Sequence, residues 1–129
     1  MEKKLNNDEK NLLLKDLCAR LPYKPQVEII KDGTSITDKL TTATIKYLEG
    51  GCWDVKPYLL PLSSMTDEQK EIYCQLQQKV IYNSKGVVTE DVMNYINWCY
   101  ENHLDVNDLI PKGLAIDATN LNIYLYESK

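Results

Sequence analysis

The chain has 129 residues and a formal net charge of -4 at pH 7, with a sequence pI of about 5.0, and this length fits one domain. Hydrophobic residues make up 43% of it, which is enough for a packed core and excludes general disorder. Arg20 is the only arginine, so the composition disfavours binding to nucleic acid, which depends on clustered basic side chains.

The four cysteines are spread along the chain and form no Cys-x-x-Cys pair. The first residues are polar and contain no apolar signal region, and no apolar run approaches the length of a membrane span. A secreted domain held by disulfides would be richer in cysteine. We therefore expect a cytoplasmic protein with reduced thiols and no membrane contact.

The first predicted element is a helix from Asn7 to Leu21, over which leucines recur at helical spacing. Asn6 or Asn7 can cap its start, and Pro22 ends it because proline lacks the N–H that a continuing helix needs. Residues 1–6 are polar and are predicted to be disordered.

A three-stranded antiparallel meander is predicted next. Val27–Lys31 is rich in β-branched residues and precedes Asp32-Gly33, a favoured hairpin turn because both positions tolerate positive φ. The segment from Thr34 to Leu48, rich in threonine and isoleucine, is predicted as the second strand. Cys52–Val55 is predicted as a short third strand that ends at Pro57.

The following segment contains Pro57 and Pro61, which fix φ and remove two backbone donors. We predict that it is extended, unsuited to a central strand, and a divider between a strand-like first half and a helical second half. Thr66 then starts a helix that runs to about Tyr82, and Gln69 three residues later completes a capping box.

The rest of the chain is predicted to be mostly helical. Asn83–Gly86 breaks the preceding helix, and a further helix runs from Thr89 to about Asn102. Its inward residues are predicted to be Val92, Met93, Ile96, Cys99 and Tyr100. Asn107 can cap one more turn, and the alternating segment Leu121–Tyr126 is predicted as a closing strand.

These elements predict a single compact α+β domain over residues 1–129. It has an N-terminal helix, a small antiparallel sheet made of the meander and a C-terminal strand, and two to three helices in the second half. Phenylalanine is absent and tyrosine occurs nine times. Leucine, isoleucine and valine must therefore supply most of the core, since buried tyrosines need a partner for the hydroxyl.

Two motifs in the second half of the chain carry a resemblance to a known family. The first motif is Pro57-Tyr58-Leu59, Pro61 and Ser63-Ser64-Met65-Thr66. The later residues are Trp98, His103, Asp105, Leu109-Ile110, Gly113-Leu114-Ala115 and Tyr124. Together they resemble small proteins encoded by phages and prophages of gut Bacteroidetes, in which a basic residue often replaces Leu60. The resemblance implies a phage or prophage setting in a bacterial cytoplasm, and it implies no activity.

A metal site is the first chemical alternative. Cys99 and His103 are four residues apart on a predicted helix, so both can face one way and supply half of a zinc site. Cys18 or Cys74 would have to complete it. Cys99 also fits the apolar stripe as a small hydrophobe, and the spacing shows no paired ligands. We predict no metal and no cofactor, with this pair as the open alternative.

Catalysis by side chains has weak support. His103 is the only histidine, and the serines before Thr66 fit helix capping without a nucleophile elbow. The acidic pairs Asp67-Glu68 and Glu90-Asp91 fall in first helical turns, where the helix dipole favours carboxylates. No glycine-rich phosphate loop is present. We therefore predict that the protein is not an enzyme.

Protein–protein interaction remains the best-supported class, with a homodimer among its forms. Tryptophan and tyrosine are enriched at interface anchors, and an extended proline-flanked segment can present them. The predicted contact residues are Trp53, Tyr58, Leu60, Leu62 and Trp98. The predicted C-terminal strand, Leu121–Tyr126, could also pair through an uncovered edge with a second chain.

The alternative function is a transcriptional regulator that uses the helix pair of residues 66–102 as a helix-turn-helix. The second helix would then present Glu90, Asp91 and Glu101 toward DNA. These carboxylates would repel the phosphates, and no arginine is available to read guanine. We therefore rank nucleic-acid binding below protein binding.

Overall fold

The structure is a computed structural model that describes residues 5–81 and 89–121. Its helices are α1 (Asn7–Arg20), α2 (Thr42–Glu49), α3 (Asp67–Ile81) and α4 (Thr89–Glu101). Its strands are β1 (Gln26–Lys31), β2 (Thr34–Lys39), β3 (Asp54–Leu59) and β4 (Ile116–Asp117). Short 3-10 turns lie at Leu21–Tyr23 and Leu62–Ser64. The predicted α+β class is confirmed.

One mixed sheet holds the strands in the order β2-β1-β3-β4. β1 is antiparallel to both β2 and β3, whereas β4 is parallel to β3. The predicted hairpin is confirmed, because Lys31 pairs with Thr34 across Asp32 and Gly33, whose φ angles are 52° and 78°. The predicted meander order is wrong, since β1 and not β2 lies beside β3.

The predicted strand Thr34–Leu48 is wrong because its second part is helix α2. The Thr41 side chain accepts the Thr44 N–H at 3.3 Å, and Thr44 Oγ1 accepts the Thr41 N–H at 3.3 Å. This reciprocal cap starts a helix whose buried residues, Thr44 and Leu48, are one turn apart. The predicted third strand, Cys52–Val55, also differs from the structure. β3 begins two residues later and continues through Pro57 to Leu59.

β3 is a central strand although it contains Pro57, so the prediction that this segment avoids a central position is wrong. The ladder with β1 ends at the pair Val27–Pro57, and the ladder with β4 begins at Tyr58. The missing proline N–H therefore lies where pairing passes from one neighbour to the other. Further on, the Leu60 N–H donates to the His103 carbonyl at 2.8 Å, which links the sheet to the helical half.

The starts of α1 and α3 agree with the sequence prediction. Asn6 caps α1 by accepting the Glu9 N–H at 2.8 Å, and Leu5 packs against the core. Thr66 and Gln69 form the predicted capping box of α3, with bonds of 2.9 and 3.1 Å. The α3 end near Tyr82, the following break, residues 1–4 and the closing strand after Leu121 lie outside the described residues.

Two details of the second half differ from the sequence prediction. Cys99 is buried as predicted, but Met93 and Ile96 do not face inward: 55% and 38% of their surfaces are exposed. The residues that α4 turns toward the second cluster beside Cys99 are Tyr95 and Trp98. Asn107 caps no helix. The predicted helical turn at Asp108–Ile110 is a non-helical turn, in which the Asp105 carboxylate accepts the Leu109 and Ile110 N–H groups at 2.8 and 2.9 Å.

The apolar side chains form two clusters. The first lies between α1, α2 and the sheet, and its buried members are Leu13, Leu17, Val27, Ile29, Leu40, Leu48, Val55, Leu59, Leu109, Leu114 and Ala115. The second lies between α3, α4 and the segment after β3, with Met65, Cys99 and Leu104 buried and Leu60, Leu62, Tyr73, Tyr95, Trp98 and Val106 packed against them.

Candidate interaction surface

A buried polar network connects α1 to the end of α4. Arg20 is completely buried, and its Nε lies 2.5 Å from Asp16 Oδ1. Arg20 Nη2 donates to the Leu104 carbonyl at 2.7 Å, and the guanidinium lies over the Tyr100 ring at 4.7 Å. Asn107 Nδ2 donates to Asp16 Oδ2 at 2.8 Å. These contacts hold the two halves of the domain together, and the ion pair at their centre is buried.

The burial of Arg20 determines whether the chain can bind an anion through a guanidinium group. The guanidinium is the group that binds phosphate in a bidentate manner and reads guanine. Since the only arginine of the sequence is enclosed in this network, that group is not available to an outside ligand. Basic contacts to a nucleic acid would have to come from lysines alone.

Cys99 and His103, the hypothetical half of a zinc site, are both buried beside this network. Burial raises the pKa of the Cys99 thiol to about 11, although the Arg20 charge offsets part of the effect. Burial, assisted by Arg20, lowers the pKa of His103 to about 4. Cys18 and Cys74 are exposed. Among the described residues, no group of three or more His, Cys, Asp or Glu side chains could hold a metal ion.

His103 has a structural role at the end of α4. Its φ angle is +58°, and its N–H donates to the Tyr100 carbonyl at 3.0 Å. The Leu104 N–H donates to the Cys99 carbonyl at 3.0 Å. This pair of bonds is the Schellman motif that closes a helix, with histidine at the left-handed position. The backbone at His103 therefore ends α4 and turns the chain toward β3.

The five predicted contact residues do not form one surface. Tyr58 is buried in β3, and Leu60, Leu62 and Trp98 pack together around the second apolar cluster. Trp53 lies elsewhere, just before β3, and is half-buried. The residues of the family resemblance are similarly structural, since Leu59, Leu109 and Leu114 belong to the core.

Strand β2 is the most accessible element of the sheet. All six of its residues are exposed, whereas its neighbour β1 alternates buried and half-buried positions. β2 stands at one end of the strand order, and no strand pairs with its outer edge among the residues that the structure describes. An edge of this kind offers a row of backbone donors and acceptors to another chain. The sequence did not predict this edge, because the residues of β2 and α2 are interpreted there as one strand.

A group of partly exposed side chains lies near the turn end of the β1–β2 hairpin. We call Lys31, Ile36, Tyr47 and Trp53 the hairpin-end patch. The rings of Tyr47 and Trp53 stack with centroids 4.2 Å apart, and Lys31 Nζ lies 5.1 Å from the Trp53 centroid. Ile36 pairs with Ile29, which lies two residues before Lys31 on β1. The Ile36 and Lys31 side chains therefore project from the same face of the sheet. The exposed fractions of Ile36 and Tyr47 are 37% and 45%.

The exposed surface of α4 carries acidic and amide side chains beside the apolar Met93 and Ile96. Glu90 and Glu101 are exposed, as are Asn94 and Asn97. The acidic pairs of α3 and α4 lie in the first turns of their helices, as predicted, where they complement the helix dipole. This surface is repulsive to a phosphate backbone.

Comparison with known proteins found no relative of this chain. No protein-family model, no curated protein and no solved structure matches the chain. No helix in the described part of the chain is long and apolar enough to cross a membrane.

Proposed function

We propose that this protein acts by protein–protein contact, and that β2 and the hairpin-end patch form the contact surface. The single observation that carries the proposal is that all six residues of β2, at the end of the sheet, are exposed. A strand added to such an edge gains main-chain hydrogen bonds, and neighbouring side chains supply specificity. The stacked Tyr47–Trp53 pair provides the kind of rigid aromatic group that anchors interfaces.

The proposal includes no catalytic step. The chain's only histidine is buried with a pKa of about 4, and the neighbouring Cys99 thiol has a pKa of about 11. At neutral pH the Cys99 thiol is therefore protonated, whereas a cysteine nucleophile acts as the thiolate. The His103 imidazole is neutral, but its burial separates it from any substrate in solution. This arrangement supports an accessory role over an enzymatic one.

The setting we propose is the cytoplasm of a bacterium, where the protein would serve a phage or prophage. This part of the proposal depends on the resemblance of the second-half motifs. The alternative, a regulator that binds DNA with α3 and α4, has less support because Arg20 is buried and α4 exposes Glu90 and Glu101.

Site-specific photo-crosslinking tests the contact surface. A photoreactive residue replaces Lys39 on β2 or, as a matched control, Lys70 on the exposed side of α3. Both variants are produced in bacterial cells and irradiated. We expect discrete adducts from position 39, and their loss when Ser35→Pro removes a backbone donor from the β2 edge. Equal labelling from both positions, or no adduct from position 39, would contradict the proposal.

A further inference from the structure

We infer that the partner at β2 is a second copy of this chain, and that the two β2 strands pair antiparallel about a two-fold axis at Ile36. The inference rests on the proposed function, since it names the partner for the same edge. Pairing of this kind would join two four-stranded sheets into one continuous sheet. The backbone geometry and the β2 side chains determine which register fits.

The hairpin fixes which backbone groups face outward. In an antiparallel pair, hydrogen-bonded and non-hydrogen-bonded positions alternate. Lys31 and Thr34 flank the two-residue turn, and the Leu40 N–H donates to the Pro25 carbonyl at 2.9 Å in the same register. The even-numbered residues of β2 therefore bond to β1. Ser35, Thr37 and Lys39 direct their N–H and carbonyl groups toward the free edge.

Most two-fold registers of β2 on itself are unfavourable. An axis at Asp38 or Lys39 sets two like charges opposite each other, which is destabilising. An axis at Ser35 sets the acidic residue of the hairpin turn opposite the partner's Asp38. An axis at Thr37 sets Ile36 opposite the partner's Asp38, so an apolar side chain faces a carboxylate.

An axis at Ile36 avoids these conflicts. It sets the two Ile36 side chains opposite each other at a non-hydrogen-bonded position, where Cα atoms approach to about 4.5 Å and side chains touch. The remaining pairs are Ser35 with Thr37, Thr34 with Asp38, and Gly33 with Lys39. This register also brings Lys39 beside the turn that carries the partner's Asp32. Both copies then cover the exposed isoleucine.

The same geometry predicts a closed and weak dimer. A two-fold contact uses the same edge of both copies, so pairing of the two β2 strands leaves neither edge open and the assembly stops at two. In the described residues, the opposite edge of the sheet is β4, with two residues. One short strand from each copy buries less than the ~1,200 Å² of a standard interface. We therefore expect association that rises with concentration over the micromolar range or above.

Disulfide trapping tests the register. Cys18, Cys52 and Cys74 are exposed and are first replaced by serine. In that background Ile36→Cys should give a covalent dimer on mild oxidation, because the facing Cα atoms lie within disulfide reach. Asp38→Cys alone should not do so. A mixture of Asp38→Cys with Thr34→Cys should give the mixed dimer, since these positions face each other across the axis.

Sedimentation over a range of concentrations tests the association without a cysteine. Ser35→Pro removes one outward N–H in each copy, so we expect the dimer to weaken about tenfold or more. The matched control, Ser35→Thr, keeps the donor and should associate like the unmodified protein. Equal self-association of Ser35→Pro and Ser35→Thr would overturn the inference.

The two proposals fail in different ways. If the protein stays monomeric at all concentrations and Ile36→Cys forms no dimer, while Lys39 crosslinks a different protein, the second copy is the wrong partner and β2 remains the contact surface. If position 39 yields no adduct with any protein and no dimer forms, both proposals are wrong.

Discussion

Arg20 and Asp16 form an ion pair on α1 in which neither side chain is exposed to solvent, with Arg20 Nε 2.5 Å from Asp16 Oδ1. The pair also bonds to elements that follow α4, through the Leu104 carbonyl and Asn107. Removing one partner of a buried pair leaves an uncompensated charge, which costs more than the pair itself contributes. The junction between the two halves of the domain therefore depends on both residues.

Asp16→Ala is expected to lower the free energy of unfolding by about 3–5 kcal/mol, because it leaves the Arg20 charge buried. Urea denaturation measures this change. Lys15→Ala, at the neighbouring exposed position of α1, is the control and should change stability by less than about 0.5 kcal/mol. The double variant Asp16→Leu with Arg20→Met should be closer to the unmodified protein than Asp16→Ala. A single variant that costs no more than the control would contradict the burial of the pair.

His103 predicts a specific pH dependence of stability. Its pKa is about 4 in the folded protein and near 6.5 when unfolded, so the unfolded chain binds the proton more tightly. The contribution of neutral His103 to the free energy of unfolding is fully present above pH 6.5. It is lost as the pH falls from there toward 4, by an amount on the order of 3 kcal/mol. His103→Asn removes the titration and keeps a residue that tolerates positive φ.

Denaturation at a series of pH values checks this expectation. The unmodified protein should lose more stability between pH 6.5 and 4.5 than His103→Asn does, although both share the titration of the carboxylates. Titration of the imidazole by NMR gives the same information directly. An imidazole pKa of about 6 or higher would contradict the buried, neutral state of His103.

Thiol reactivity distinguishes Cys99 from the other cysteines. Cys18, Cys52 and Cys74 are exposed, whereas Cys99 is buried with a pKa of about 11. Because the thiolate is the reactive form, a thiol reagent at pH 7.5 should modify three groups rapidly and the fourth only after unfolding. Cys99→Ala should keep the three rapid groups. Rapid modification of all four in the folded protein would show that Cys99 is accessible.

The sequence predicts the parts of the fold that are encoded within a few residues. The Asp32-Gly33 turn and the Thr66–Gln69 capping box are complete local signals, and both are present in the structure. The cap that starts α2 is equally local. However, it uses Thr44 in place of the usual Glu or Gln, so the run of threonine and isoleucine suggested a strand.

The remaining features depend on contacts between distant residues. The position of Pro57 in a central strand requires β4 to begin pairing one residue later. Asp16 and Arg20 are four apart on α1, a spacing that usually marks a solvent-exposed pair, and their contacts with Tyr100, Leu104 and Asn107 depend on the tertiary fold. The free edge of β2 likewise follows from the strand order β2-β1-β3, which no local pattern specifies.

Amide hydrogen exchange along β2 tests the contact surface most directly. In dilute protein, the inward amides of Thr34 and Ile36 should be protected by β1, and the outward amides of Ser35 and Thr37 should exchange freely. At high protein concentration, the two outward amides should gain protection while exposed amides of α3 do not. Outward amides that exchange equally fast at every concentration would contradict pairing of β2 with a second copy.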